Sequence, residues 1–143
     1  MPKGTSWRLS APMASEDDIH AAVARALDVL LLPPATWTTF PAGGYGLTAA
    51  AAARLARIGL KRGWPDVLVL HGTLHGIELK RATGTLSRTR TARTRSGALR
   101  LVEGQRDVFP RLEAAGMRIA VCRSVDEVLA ALAAWGVPTR RAA

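Results

Sequence analysis

The sequence predicts an α/β fold in which a small mixed β-sheet is flanked by helices. Apolar residues recur at helical spacing over 19–30, which indicates an amphipathic helix. Two apolar runs, at about 67–70 and 75–80, are separated by glycine-containing turn signals and predict a β-hairpin. A capping box from Ser124 to Glu127 directly follows a β-prone run and predicts a strand succeeded by a helix. Helices and strands are therefore expected to share one core.

Capping and chain-breaking residues delimit the first elements. Ser15 can cap the first helix, and the three acidic residues that follow it suit the positive end of the helix dipole. Pro33-Pro34 ends this helix. Residues 36–40 are β-prone and predict a strand, and the glycine-rich residues 41–46 predict a loop. Thr48 can cap an alanine-rich helix that continues to about residue 60.

The elements after the hairpin are predicted from composition and periodicity. Residues 82–102 are rich in Thr, Ser, Arg and Gly, and we expect a mobile basic loop there. A helix is predicted over 103–115, with a kink or a late start at Pro110. A strand over 117–122 and a last helix to about Trp135 complete the order αβαββαβα.

Length and composition indicate one folded domain. The chain has 143 residues, and we place a single domain at 15–138, between a flexible arm at 1–14 and a basic tail at 139–143. The one cysteine, Cys122, excludes an intramolecular disulfide and argues against a structural zinc cluster. No apolar run has the length of a membrane span, and the N-terminus lacks the apolar stretch of a signal peptide, so we expect no membrane contact and a cytoplasmic location.

The charge of the chain points to a polyanionic partner. Twenty Lys and Arg against eleven Asp and Glu give a net charge of +9. From Lys80 to Arg100 there are seven basic residues and no acidic one. Such a block attracts nucleic acid, although it also fits a solvated loop in an arginine-rich protein. The predicted DNA contacts are Arg81, Arg88, Arg90, Arg93, Arg95 and Arg100.

Two carboxylates and a lysine are expected to meet at the hairpin. Residues i and i+2 of a strand share a face, so Glu78 and Lys80 lie together while Ile77 points into the core. If the two runs pair, Asp66 approaches Glu78 from the neighbouring strand. Two carboxylates beside an ammonium suit a divalent cation and metal-dependent phosphodiester hydrolysis. Separately, however, Asp66 could cap a turn, and Glu78 and Lys80 could form an exposed ion pair of little energetic value.

The residues around this pattern resemble a known nuclease family. Pro65-Asp66 followed by Glu78-x-Lys80 matches the signature of the PD-(D/E)xK nuclease superfamily. Over about 16–136 the chain resembles the virus-type replication-repair nuclease (VRR-NUC) domain. The matching segments are Gly63-x-Pro65-Asp66, Ile77 to Lys80, Gly84 to Ser87, Gln105, Glu113 to Gly116, and Val121 to Ser124. The connection from Arg88 to Val102 is much longer than is usual in that family.

The resemblance implies a restriction-endonuclease-like core and a role for each site residue. Asp66 and Glu78 would bind Mg²⁺ or Mn²⁺, with the main-chain carbonyl of Leu79 as a further ligand. Lys80 would orient the attacking water or help to deprotonate it. Gln105 matches a glutamine that lies beside the lysine.

The sequence leaves open whether Glu16 is a further metal ligand. Glu16 matches an acidic position that would complete the metal shell, although its place in the first turn of a helix is equally explained by the helix dipole. Trp64 is expected to cover the core at the strand entrance rather than to stack on a base. His71 and His75 flank the predicted turn and are expected to face solvent.

The function implied is a metal-dependent DNA endonuclease, similar to the Holliday-junction resolvases of bacteria and phages. A bacterial cell or a phage-infected host is the implied setting, and two symmetric cuts would require a homodimer. The alternatives are a flap or fork nuclease, a DNA nuclease of low specificity, and a non-catalytic DNA-binding module.

Overall fold

A four-stranded mixed β-sheet is the centre of the fold in the computed structural model, which describes residues 13–40 and 47–140. The helices are α1 (Glu16–Leu30), α2 (Ala49–Arg57), α3 (Gln105–Ala114) and α4 (Val125–Ala134). The strands are β1 (Thr36–Thr39), β2 (Val67–His71), β3 (Thr73–Leu79), β4 (Arg90–Arg93), β5 (Leu99–Val102) and β6 (Arg118–Cys122). The predicted α/β class, with a small mixed sheet flanked by helices, is confirmed.

Strand order and direction make the sheet mixed. The order is β1-β2-β3-β6. The pairs β1–β2 and β2–β3 are antiparallel, whereas β3 and β6 run parallel. In the predicted hairpin, Val67 lies opposite Ile77, so the entrance of β2 faces the end of β3. Asp66 is therefore brought next to the segment from Glu78 to Lys80.

The main hydrophobic core lies between one face of the sheet and the helices α1 and α4. Ile19, Val23 and Leu27 recur every four residues on α1, and all three are buried. They pack in one cluster with Val69 and Ile77 of the sheet. Burial of each such side chain stabilises the fold by about 1.5–3 kcal/mol. None of the helices within the described residues is long and apolar enough to cross a membrane.

Ser15 and Ser124 cap their helices as the sequence predicts, but the predicted capping box at Ser124 does not close. The Ser15 hydroxyl accepts the Asp18 N–H, and the Asp18 carboxylate accepts the Ser15 N–H. Ser124 accepts the Glu127 N–H, while Glu127 accepts the N–H of Arg123 rather than that of the cap residue. Each cap satisfies a backbone donor that the first helical turn leaves without a partner.

The prediction for residues 82–102 was wrong in one respect, because the segment contains a β-hairpin. The strands β4 and β5 form a separate two-stranded sheet, which we call the basic ribbon (residues 90–102). Thr94 N–H donates to Ala98 O at 2.8 Å and closes the turn. The strands contain the β-prone residues Thr91 and Val102, although the overall composition of the segment resembles that of a loop.

Two further local predictions were wrong. The helix α3 begins at Gln105, two residues later than predicted, and continues through Pro110. His75, which was expected to face solvent beside the turn, lies within β3 and is buried. His75 lies two residues before Ile77 on β3, so its side chain points to the same face as that of Ile77. That face is buried, and His75 is only 1% exposed. Burial lowers its pKa, and its ring contacts that of Trp135 at 5.0 Å.

Parts of three predictions lie outside the described residues. They are residues 1–12 of the N-terminal arm, the loop predicted at 41–46 and residues 141–143 of the basic tail. Of the remaining tail, Arg140 N–H donates to Leu30 O at 2.6 Å.

Candidate active site

Asp66 is fixed at the entrance of β2 by neighbouring strands on both sides. Its carbonyl accepts the Phe40 N–H at 2.8 Å and the Thr39 hydroxyl at 3.0 Å, which ties the residue to β1. Its Oδ2 accepts the Leu79 N–H at 2.9 Å, which ties the side chain to the end of β3. The carboxylate of Asp66 is thus oriented by main-chain contacts and is held beside Glu78, as the sequence predicts.

Glu78 is a buried carboxylate with one oxygen engaged and the other without a partner. The residue is 1% exposed. Its Oε1 accepts Lys80 Nζ at 2.8 Å and Gln105 Nε2 at 2.5 Å. Its Oε2 is buried and has no hydrogen-bond partner among the described residues. Leaving such an atom unsatisfied costs about 1–3 kcal/mol, and more when the group is charged. An unsatisfied buried carboxylate oxygen is typical of a functional site or an ion site.

The charges of the site shift two pKa values upward. Burial and the charge of Asp66 raise the pKa of Glu78, and the contacts with Lys80 and Gln105 only partly oppose this. Burial by itself lowers the pKa of Lys80, but its hydrogen bond with Glu78 and the charges of Glu78, Glu16 and Asp66 outweigh burial, so the net shift is upward. Lys80 therefore stays an ammonium at neutral pH.

Gln105 is oriented by the loop that precedes the basic ribbon. Ser87 N–H donates to the Gln105 side-chain oxygen at 3.2 Å, and Gln105 N–H donates to the Ser87 hydroxyl at 3.0 Å. This pairing turns the amide nitrogen of Gln105 toward Glu78. The resemblance implies a glutamine beside the lysine, and the structure brings Gln105, Glu78 and Lys80 together.

Glu16 reaches the same cluster from α1. Its Oε1 lies 3.6 Å from Lys80 Nζ, and its side chain is 45% exposed. Glu16 therefore neighbours the site, and its contact is with the lysine. Leu79 lies between Glu78 and Lys80, and the peptide that carries its carbonyl is held by the Lys80 N–H, which donates to Cys122 O at 3.0 Å.

The residues present fit a hard divalent cation. No group of three or more His, Cys, Asp or Glu side chains suited to a metal ion occurs in the described part of the chain. Magnesium, however, is commonly held by one or two carboxylates together with waters and substrate phosphate. Asp66 supplies one carboxylate, and Glu78 supplies its buried Oε2, which no hydrogen bond from the described part of the chain engages.

The predicted DNA-contact arginines lie in three places. Arg88 and Arg90 line a cavity next to Asp66 and Lys80. Arg93 donates to Gly97 O at 3.2 Å in the ribbon turn, and Arg95 and Arg100 are exposed on the ribbon. Arg81 is also exposed, at the start of the loop that follows Lys80.

Arg123 is a site residue whose role the sequence did not reveal. Its Nη1 donates to the carbonyls of Arg81, Ala82 and Gly84 at 2.6, 3.3 and 2.9 Å. A Cβ on Gly84 would lie 3.3 Å from Cβ and Cδ of Lys80, so the loop that Arg123 holds packs on the stem of the lysine. The available signal was that Arg123 directly follows a strand predicted to join the sheet.

Gly104 joins the ribbon to α3. Thr89 Oγ1 accepts the Gly104 N–H at 3.0 Å and also bonds to Asp107. A Cβ on Gly104 would lie 2.2 Å from the Arg88 carbonyl carbon, a distance that no rotamer change relieves because the neighbour is backbone. The close approach fixes the ribbon next to the residue that begins α3, Gln105.

We expect Gly104→Ala to destabilise the protein by about 1–3 kcal/mol, as overpacking does elsewhere, and to loosen the ribbon. Chemical denaturation measures the first effect, and amide hydrogen exchange over residues 88–102 measures the second. Gly97→Ala is a control for loss of a ribbon glycine, because its Cβ would meet nothing within 4 Å, although its φ of +83° adds local strain. Unchanged exchange in Gly104→Ala would show that this close approach does not hold the ribbon.

Comparison with known proteins gives no relative for this chain. No known family, no curated protein and no solved structure matches it.

Proposed function

We propose that the protein is a metal-dependent deoxyribonuclease that hydrolyses phosphodiester bonds. The observation that carries the proposal is the buried Oε2 of Glu78, which has no hydrogen-bond partner within residues 13–40 and 47–140. A structural ion pair alone would not explain why a carboxylate oxygen is buried and unsatisfied, whereas a ligand for a cation explains it. The charge of +9 and the basic ribbon support a polyanionic substrate.

Each residue has a defined part in the proposed reaction. Asp66 and Glu78 would hold Mg²⁺ or Mn²⁺, with the Leu79 carbonyl and Glu16 as further candidate ligands. The bound cation would supply Lewis acidity and charge neutralisation at the phosphate. Lys80 would orient the attacking water or help to deprotonate it, and its ammonium would stabilise the developing phosphate charge. Gln105 holds Glu78 in place.

The resemblance of the sequence to VRR-NUC domains supports a finer version of this proposal. In that version the enzyme is structure-specific, similar to a Holliday-junction resolvase, acts as a homodimer, and leaves a 5′-phosphate and a 3′-hydroxyl. The same site would serve a flap or fork nuclease or a DNA nuclease of low specificity.

The deciding experiment is a cleavage assay with Mg²⁺ or Mn²⁺ on junction, flap, fork, duplex and single-stranded DNA. We expect cleavage that requires the cation and is absent in EDTA, and the ranking of substrates identifies the subclass. DNA binding without cleavage of any substrate in either metal would contradict the proposal and favour a non-catalytic DNA-binding module.

The ribbon arginines are expected to bind phosphates. Replacing Arg90, Arg95 and Arg100 together by glutamine should weaken DNA binding and reduce the slope of log K against log salt by about 0.9 for each phosphate that is no longer neutralised. Fluorescence anisotropy over a salt series measures both quantities. Arg25→Gln removes one charge from the exposed side of α1 and serves as the control. If the triple variant keeps the wild-type slope, the ribbon does not bind phosphate.

A further inference from the structure

A cavity of about 230 Å³ opens beside Asp66 and Lys80. The loop before β2, from Arg62 to Trp64, forms one wall. The segment from Ser87 to Arg90 and the end of the ribbon at Val102 contribute the other lining residues. The cavity thus connects the proposed catalytic residues with the basic ribbon, and none of the sequence predictions assigns a ligand to it.

Trp64 gives this cavity a rigid aromatic wall. Its ring centroid lies 5.4 Å from that of Phe40, with a tilt of 42°. The preceding Gly63 has a φ of +83°, and a Cβ there would lie 2.7 Å from Cγ2 of Val108. The loop is therefore pressed against α3, in a conformation that favours glycine. Trp64 is half-buried and is positioned before any ligand arrives.

Three arginines on the cavity wall have no protein partner among the described residues. Arg62, Arg88 and Arg90 are exposed, and no hydrogen bond or ion pair joins their side chains to that part of the chain. The one other acidic residue on the wall, Glu103, is already paired with Arg111 at 2.7 Å. Guanidinium groups bind phosphate, and an indole stacks on a nucleic-acid base.

We propose that this cavity is a subsite for one unpaired nucleotide of the DNA strand next to the phosphate that is cut. The base would stack on Trp64, and the phosphates on either side would lie against Arg62, Arg88 and Arg90. This inference rests on the proposed function, because it takes Asp66 and Lys80 as the place of cleavage. The volume is below the roughly 300–1,000 Å³ of sites for drug-sized ligands, which fits one base and not a base pair.

The subsite predicts which class of DNA the protein prefers. A base can enter the cavity only when it is out of the helical stack. Extruding a base is costly in an intact duplex and least costly where the base is already unpaired. The preferred DNA is therefore one that presents an unpaired nucleotide beside the cut, at a branch point, a tail or a mismatch.

The test measures binding in EDTA, so that cleavage plays no part. The probes are a duplex with a single-stranded tail, the same molecule with one abasic nucleotide moved along the tail, and a blunt duplex with the same number of phosphates. We expect Trp64→Ala to weaken binding of the tailed duplex roughly 10- to 100-fold and to leave the blunt duplex nearly unchanged. Trp64→Phe should keep most of the affinity. Trp37→Ala, which removes an indole from β1, is the control.

An abasic site at one tail position should reproduce the loss in the wild-type protein and add nothing further in Trp64→Ala. Equal losses on tailed and blunt DNA, or independent losses from the abasic site and from Trp64→Ala, would overturn the subsite. If Trp64→Ala does not fold, the abasic series in the wild-type protein decides. The subsite would be overturned if moving the abasic nucleotide changed the affinity by no more than twofold at every position. Failure of the proposed function shows separately, as wild-type protein that cleaves nothing in Mg²⁺ or Mn²⁺.

Discussion

Replacing Asp66 by asparagine is expected to reduce metal-dependent cleavage by about two to four orders of magnitude while DNA binding in EDTA is retained. The side-chain oxygen of asparagine can still accept the Leu79 N–H, which is now bound at 2.9 Å, so the strands remain in register. The variant removes a negative charge next to Glu78 and one oxygen ligand for the cation. The measurements are single-turnover cleavage and anisotropy binding on the same DNA.

Asp17→Asn is the matched control for this variant. Asp17 lies exposed in the first turn of α1, one residue from Glu16, and its replacement removes the same charge without touching the site. We expect the cleavage rate of this control to stay within a few-fold of wild type. Wild-type cleavage by Asp66→Asn would refute the proposed site, and loss of DNA binding by the same variant would show that Asp66 has a structural role.

Replacing Glu78 by glutamine is expected to stabilise the metal-free protein and to abolish its stabilisation by Mg²⁺ or Mn²⁺. Glutamine has nearly the same shape, and its oxygen can still accept Lys80 and Gln105. The ammonium of Lys80 keeps Glu16 as an ion-pair partner at 3.6 Å. The variant removes a buried charge that Asp66 repels.

The stability that Glu78→Gln gains is expected to depend on pH. Burial and the charge of Asp66 raise the pKa of Glu78 in the folded state above its ordinary value of 4.5. A raised carboxyl pKa means that the folded state holds its proton more tightly, so this contribution to stability is present at low pH and is lost as pH rises through the folded pKa. The gain in Glu78→Gln should therefore be absent in acid and reach its full size once the pH exceeds the folded pKa of Glu78.

Thermal unfolding with and without the cation, over a pH series, measures both effects. Wild-type protein should gain about 2.7 kcal/mol of stability when the cation is present at one hundred times its dissociation constant, and the variant should gain nothing. Glu103→Gln is a control, because Glu103 is an exposed partner of Arg111. A fall in the stability of metal-free Glu78→Gln would mean that the pair of Glu78 with Lys80 is a net stabilising contact.

The sequence predicted the centre of the site because its geometry is local. The hairpin is short, and alternation within β3 fixes which side chains share the face of Glu78 and Lys80. Asp66 lies close to them because the register of the antiparallel pair places Val67 opposite Ile77. The α/β class followed from the same periodicities.

Features that depend on contacts distant in sequence were not predicted. The pairing of Arg123 with the carbonyls of Arg81 and Gly84 requires β6 to lie parallel to β3, and no local pattern specifies that neighbour. The cavity requires the loop at Trp64 to face the ribbon. The ribbon itself was missed because the composition of residues 82–102 favours a loop, whereas β4 and β5 pair through their backbones.

The parallel pair of β3 and β6 has a consequence for the order in which the site forms as the chain folds. The two carboxylates come together when a short hairpin closes, and such closure is among the fastest events in folding. The loop beside Lys80, in contrast, waits for Arg123, which lies more distant along the chain, and parallel pairing of distant strands is intrinsically slow. A folding intermediate with the hairpin alone would already contain both acidic groups while its lysine still lacked a fixed position. In the proposed nuclease, cleavage would therefore begin only once β6 had joined the sheet.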